Sequence, residues 1–135
     1  MTMSSNQPDL LLKNLSFNLE ELLEIHNLNY DQFKGRIREI ISFDSNNLKK
    51  KMVDEIIYPH DSVRVMIPVI ENDLESYELK TFSSLGGFTR GQLLYKIAGS
   101  LKEFTGGFAN DWFHVFDGLI RQDCGSYKLT YNVYI

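Results

Sequence analysis

The chain has 135 residues, 43% hydrophobic and 24% charged, which suits one globular domain able to bury a core without disulfides or metals. Its net charge of −4 gives no long-range attraction to nucleic acid or to an anionic membrane. A single cysteine, Cys124, excludes an intramolecular disulfide and fits a reducing compartment.

Residues 1–16 read as a flexible N-terminal arm, polar at first and then carrying the apolar patch Leu10, Leu11, Leu12, which is expected to dock on the body of the chain. The arm has no basic cluster with a long apolar core of the secretory kind, and no apolar stretch reaches the roughly 20 residues that span a bilayer. The expectation is a soluble, intracellular, cytoplasmic protein with no membrane contact.

Residues 17–135 read as a single α+β domain. Three helices are predicted between Asn18 and Ile57. Asn18 with Glu21 opens the first, whose Leu19, Leu22, Leu23 and His26 share a face. Asn29 with Gln32 opens the second, with Phe33, Ile37, Ile40 and Ile41 as its buried stripe. The third runs from about Ser45 through Leu48, Met52, Val53, Ile56 and Ile57, and ends because Pro59 pushes its predecessor out of the helical region.

The period then changes to two. Val63, Val65, Ile67 and Val69 alternate along a strand that Pro68 should confine to a sheet edge or bring to an end. Glu71, Asn72 and Asp73 offer a turn, and Tyr77, Leu79 and Thr81 a returning strand. The stretch SLGGFTRGQLLY, residues 84–95, has the glycine content of a phosphate-binding loop. Gly86 and Gly91 carry the Walker separation, but Gln92 and Leu93 stand where lysine and a hydroxyl residue are needed. Thr89 and Gln92 instead form a capping box, with Phe88 and Leu93 at the staple positions. The helix that follows has the stripe Leu93, Leu94, Ile97, Ala98, Leu101, Phe104, and Gly106 suits its C-terminal cap. Thr89 and Arg90 at its exposed N-terminus are a candidate anion site.

The last segment reads as a hairpin. Tyr127, Leu129, Tyr131, Val133 and Ile135 alternate with polar residues, Asp123-Cys124-Gly125 supplies the turn, and Gly118 a bulge. The predicted architecture is thus an N-terminal three-helix segment, then two β-hairpins flanking one amphipathic helix.

No complete catalytic or metal constellation is present. His26, His60, His114 and Cys124 lack ligand spacing, so no metal, cofactor or catalytic residue is assigned. Cys124 with His114 or Asp117, and the pair His60-Asp61, are weaker than the plain readings of a turn cysteine and a capped turn. The run Lys49-Lys50-Lys51 within residues 30–57, in a helix–helix–hairpin order like that of a winged helix, gives an alternative as a nucleic-acid-binding protein. Three successive helical positions spread over about 200°, however, and residues 19–58 hold six basic against eight acidic side chains.

The aromatic C-terminal hairpin and the predicted edge at Pro68 carry the main expectation. Trp112, Phe116, Tyr131, Tyr134 and Pro68 are candidate contacts of a non-enzymatic interaction or structural module, with a protein partner or a second copy. The segments FTRGQLLYKI and FHVFDGLIRQDCGSYKL also carry a resemblance. Phe88, Thr89, Leu93, Leu94 and Ile97, followed by Val115, Phe116, Asp117, Gly118 and Leu119, resemble a module in uncharacterised small proteins of large DNA viruses that infect protists, with Asp117 where that module carries glutamate. The resemblance covers roughly the last 50 residues and implies a viral origin, hence the host cytoplasm or the virion, and no activity.

Overall fold

The computed structural model describes residues 9–12, 15–40, 42–43, 53–71, 74–105 and 113–134. Its centre is a five-stranded sheet. Strands β5 (Ser62–Glu71) and β6 (Leu74–Ser83) form one hairpin, with an unbroken register from Ser62↔Ser83 to Glu71↔Leu74. Strands β8 (Phe113–Arg121) and β9 (Tyr127–Tyr134) form the second. The two do not stand apart around a helix. β5 and β9 pair in parallel at Val65↔Tyr127 and Met66↔Lys128, and β1 (Leu10–Leu11) adds to the outside of β8, giving the order β1-β8-β9-β5-β6.

The helices described from end to end are α1 (Leu19–Glu24), α2 (Tyr30–Ile40) and α3 (Arg90–Thr105), and Val53, within the predicted third helix, is also helical. They are interleaved with short strands: β2 (Leu15–Ser16) pairs with β3 (Ser42–Phe43), and β4 (Ile56–Tyr58) with β7 (Phe88–Thr89). The protein is therefore a mixed α/β fold dominated by sheet, and the expected three-helix N-terminal segment is corrected. The end of the predicted third helix is instead β4. Ile56 and Ile57 satisfy a helical stripe and a strand equally well, and pairing with Phe88–Thr89 decides for the strand. Residues 44–52 of that prediction lie outside the described residues, as do Ile41, the turn residues Asn72 and Asp73, and Gly106.

The core lies on one face of the large sheet. Val63, Val65 and Ile67 of β5, Phe82 of β6, Phe116 and Leu119 of β8, and Tyr127 and Leu129 of β9 are all buried there. Beneath them lie Leu93, Leu94, Ile97, Ala98 and Leu101, the apolar stripe of α3, which packs on β5. Phe17, just before α1, stacks on Phe116 with ring centroids 4.7 Å apart.

Local signals account for the starts of two helices. Around α2, the N–H of Gln32 donates to Asn29 Oδ1 (2.9 Å) and that of Asn29 to Gln32 Oε1 (3.3 Å). At α3 the reciprocal bonds are Gln92 N–H to Thr89 Oγ1 (3.1 Å) and Thr89 N–H to Gln92 Oε1 (2.8 Å). Asn18 stands at the N-cap as expected but makes no side-chain cap bond, and its backbone is bridged to Val115 of β8. The leucine patch expected in a flexible arm lies on the body: Leu11 and Leu12 are buried, and Leu10 and Leu11 pair with Ile120 and Leu119.

Pro68 does not mark an edge, since β5 has β6 on one side and β9 on the other. The ladder to β9 ends at Met66, two residues before the proline, so the missing N–H costs no inter-strand bond there. Asp117 is the extra residue of the bulge between Phe116 and Gly118, where the sequence places one.

Candidate interaction surface

Strand register carries one set of side chains to the face of the sheet opposite the helices. Because directly paired residues share a face, Leu10↔Ile120, Ile120↔Lys128, Met66↔Lys128 and Met66↔Leu79 form one row with a member from each of the five strands. Its apolar members stay accessible: Leu10 is 37% exposed, Ile120 42% and Leu79 53%. Tyr134, two pleats along β9 on the same face as Thr130, is 55% exposed. On the helix side the neighbouring residues Leu11, Leu119, Tyr127 and Val65 are buried. The sheet is thus closed on one face and apolar-accessible on the other.

A polar cluster borders the row. Lys128 Nζ sits 4.6 Å from the centre of the Tyr77 ring, a cation–π contact. Beyond the end of the β5–β9 ladder, the Tyr131 hydroxyl donates to Glu75 of β6. Burial and the Glu75 carboxylate push the Tyr77 phenol up to about 12, and the same causes raise that of Tyr131. Both phenols therefore stay protonated at neutral pH, so each can donate a hydrogen bond.

The remaining chemistry is committed to structure. The backbone N–H of His114 donates to Glu20 Oε1 (3.1 Å), and its Nδ1 lies 2.5 Å from Glu20 Oε2; the pair ties α1 to the end of β8. Cys124 is exposed in the β8–β9 turn, its Sγ 2.9 Å from Ser126 Oγ, and that hydrogen bond lowers its pKa. His114 lies seven residues before the end of β8 at Arg121, about 23 Å by the strand rise, so the two do not assemble. Asp61 Oδ1 accepts from the Gly86 N–H (2.9 Å), clasping the glycine stretch to the start of β5, while His60 stands edge-on to Tyr58.

The candidate anion site at Thr89 and Arg90 is occupied by the protein itself. The Arg90 N–H donates to the Glu55 carbonyl (3.0 Å), and its guanidinium pairs with Glu55 Oε1 (3.0 Å) beside a 230 Å³ cavity walled by Leu10, Leu11, Leu12 and Ile57. Thr89 is spent in the capping box. At Gly91 an added Cβ would lie 2.7 Å from Val53 Cγ1 and 2.9 Å from Tyr30 Oη, so this glycine lets α3 approach its neighbours closely.

Of the residues singled out as partner contacts, Tyr134 is exposed and Tyr131 half-buried in the polar cluster. Phe116 is in the core against Phe17 and is removed from any contact surface. Pro68, opposite Tyr77, is buried on the open face. Trp112 and Lys49, Lys50 and Lys51 lie outside the described residues. Within the same basic segment, Lys34 pairs with Asp54 (3.3 Å) and Arg36 with Glu39 (3.7 Å). Leu10, Ile120, Lys128 and Met66 were not legible as a site, since each belongs to a different strand; strict alternation in β5 and β9 was the one available signal.

The chain matches no family model, no curated protein and no solved structure. Among the described residues no helix is long and apolar enough to cross a membrane, and no three metal-ligating side chains gather.

Proposed function

We propose that this chain is a non-enzymatic interaction module that presents the open face of its five-stranded sheet to a protein partner. The observation that carries this reading is the register-matched row Leu10–Ile120–Lys128–Met66–Leu79, three of whose members are accessible leucine or isoleucine. A register-matched row of accessible apolar side chains supports an association site, and Lys128 over the Tyr77 ring adds a polar element of the sort interfaces have. Together with the resemblance of the α3 and β8 segments to small viral proteins, the reading extends to a viral protein acting in the host cytoplasm or in the virion.

A photo-crosslinking amino acid placed at Ile120 should capture one discrete protein in the native cell. The same residue at Glu39, on the exposed side of α2, should capture none. Ile120→Glu combined with Leu79→Glu should abolish binding of the captured protein without lowering the melting temperature. Equal crosslinking at both positions, or none at Ile120, would refute the assignment.

A further inference from the structure

The outer edge of β6 carries information that the open face does not use. This ten-residue strand pairs with β5 on one side and, among the described residues, with nothing on the other. It has no proline and no bulge, so every second residue turns its N–H and C=O outward along an even edge. The helix-side face carries Ser76, Glu78, Lys80 and Phe82; the open face carries Glu75, Tyr77, Leu79, Thr81 and Ser83.

We propose that β6 is the seam of a symmetric dimer, pairing antiparallel with β6 of a second copy of this chain and centred on Leu79. A two-fold antiparallel seam places each residue opposite one of the same face, so it must centre on a residue and not between two. Centring on Glu78 sets that carboxylate against its own copy, and centring on Lys80 does the same with two ammonium groups; like charges directly opposite are destabilising. Centring on Tyr77 or Thr81 shortens the seam to residues 74–80 or 79–83 and pairs no opposite charges. Centring on Leu79 aligns residues 75–83 of both copies. It sets Glu78 against Lys80 of the partner subunit twice over, and Leu79 against Leu79 of the partner subunit.

Lys80 is already engaged within its own chain, and its three donors allow it to hold the partner subunit's Glu78 as well. Charges at an edge commonly repel strands of the wrong pattern; here they also select one register of the chain with itself. The helices do not obstruct the seam. α3 packs chiefly on β5 and also touches β6, so the two copies of α3 stand at most about three strand spacings apart, roughly 14 Å, against the 8–10 Å of packed helices. Two-fold pairing keeps the open faces on the same side. The rows then meet at Leu79 and run as one strip across ten strands. The proposal rests on the interaction-module reading and names the assembly in which that face is presented. A single strand seam falls below the area of obligate interfaces, so the dimer depends on concentration.

Sedimentation velocity of the full chain over a wide concentration range should show a monomer–dimer equilibrium. Lys80→Glu and Glu78→Lys should each weaken it about tenfold or more, because both pairs become repulsive. The double variant Glu78→Lys with Lys80→Glu should restore dimerisation. If a single variant fails to fold, hydrogen exchange on the unaltered protein decides: raising the concentration should protect amides within residues 75–83. A wild-type chain monomeric throughout, single reversals that dimerise normally, or a double variant that stays monomeric would overturn the seam. A monomer that still crosslinks at Ile120 removes the seam alone. A charge-swap-dependent dimer without that crosslink removes the partner reading alone.

Discussion

Gly87→Ala should be far more damaging than Gly86→Ala, although the two residues are adjacent. Gly86 has φ +84° with nothing within 4 Å of an added Cβ, so alanine there costs only the left-handed strain of about 1–2 kcal/mol. Gly87 has φ +104°, and its Cβ would lie 2.5 Å from the carbonyl oxygen of Tyr58 and 3.1 Å from Pro59 Cα. Both obstacles are backbone and cannot rotate away. Relief requires β4 to move off β7, which sacrifices the Tyr58↔Phe88 pairing at about 1 kcal/mol per bond and disturbs Tyr58, buried beside Phe88 and Tyr127. With the strain added, the total is about 3 kcal/mol or more, a fall in Tm of about 10 °C for a chain of this size. Thermal and urea unfolding of the two variants side by side would measure it. Equal losses within error would show that β4 does not press on the glycine turn, and would refute the packing described for this stretch.

Three further outcomes follow from the same packing. Burial, with Tyr58 nearby, pushes the Tyr127 phenol up to about 12, and Tyr77 is also at about 12. The folded chain therefore keeps protons that the unfolded chain releases above pH 10: stability should be complete below that pH and fall as pH rises toward 12. Tyr127→Phe should flatten the fall in urea midpoint over that window, and an unchanged slope would contradict the buried phenol. Phe17→Ala and Phe116→Ala should each cost about 3–5 kcal/mol in chemical unfolding. The double variant should cost less than their sum by about 0.5–1.5 kcal/mol, the worth of the stacked pair; strict additivity would mean that the rings do not touch. Thr89→Ala should cost about 1 kcal/mol through the lost cap while Thr89→Ser keeps most of it, and equal melting of the two variants would count against the capping box.

How much of this was legible in the sequence depended on the distance between interacting residues. The capping boxes Asn29/Gln32 and Thr89/Gln92 close within one helical turn, and both are formed as read. The alternation of β5 and the Gly118 bulge are similarly local. Ile56 and Ile57 fit two periods, and the strand that decides between them begins at Phe88. Phe116 points inward because Phe17, some hundred residues earlier, offers it a stacking partner. β5 is an inner strand although Pro68 suggested an edge, because it joins β9 over two residue pairs that end at Met66, a parallel junction with no sequence signal of its own.

The open row was the least legible feature, and its composition says what it can accept. Four apolar members flank Lys128 at the middle strand, so a partner covering the row must also cover a cation. Desolvating an ammonium is costly unless a carboxylate or carbonyl meets it, and the Tyr77 ring at 4.6 Å offsets only part of that cost. A purely aliphatic surface is therefore rejected, while one that places an acceptor between two apolar contacts is favoured. In the proposed interface the lysine would provide specificity, and the leucines and isoleucine buried area. Two bare copies laid face to face would oppose lysine to lysine at the centre of the row. The face resists stacking on itself, whereas the β6 edge carries the pattern that pairs with its own copy.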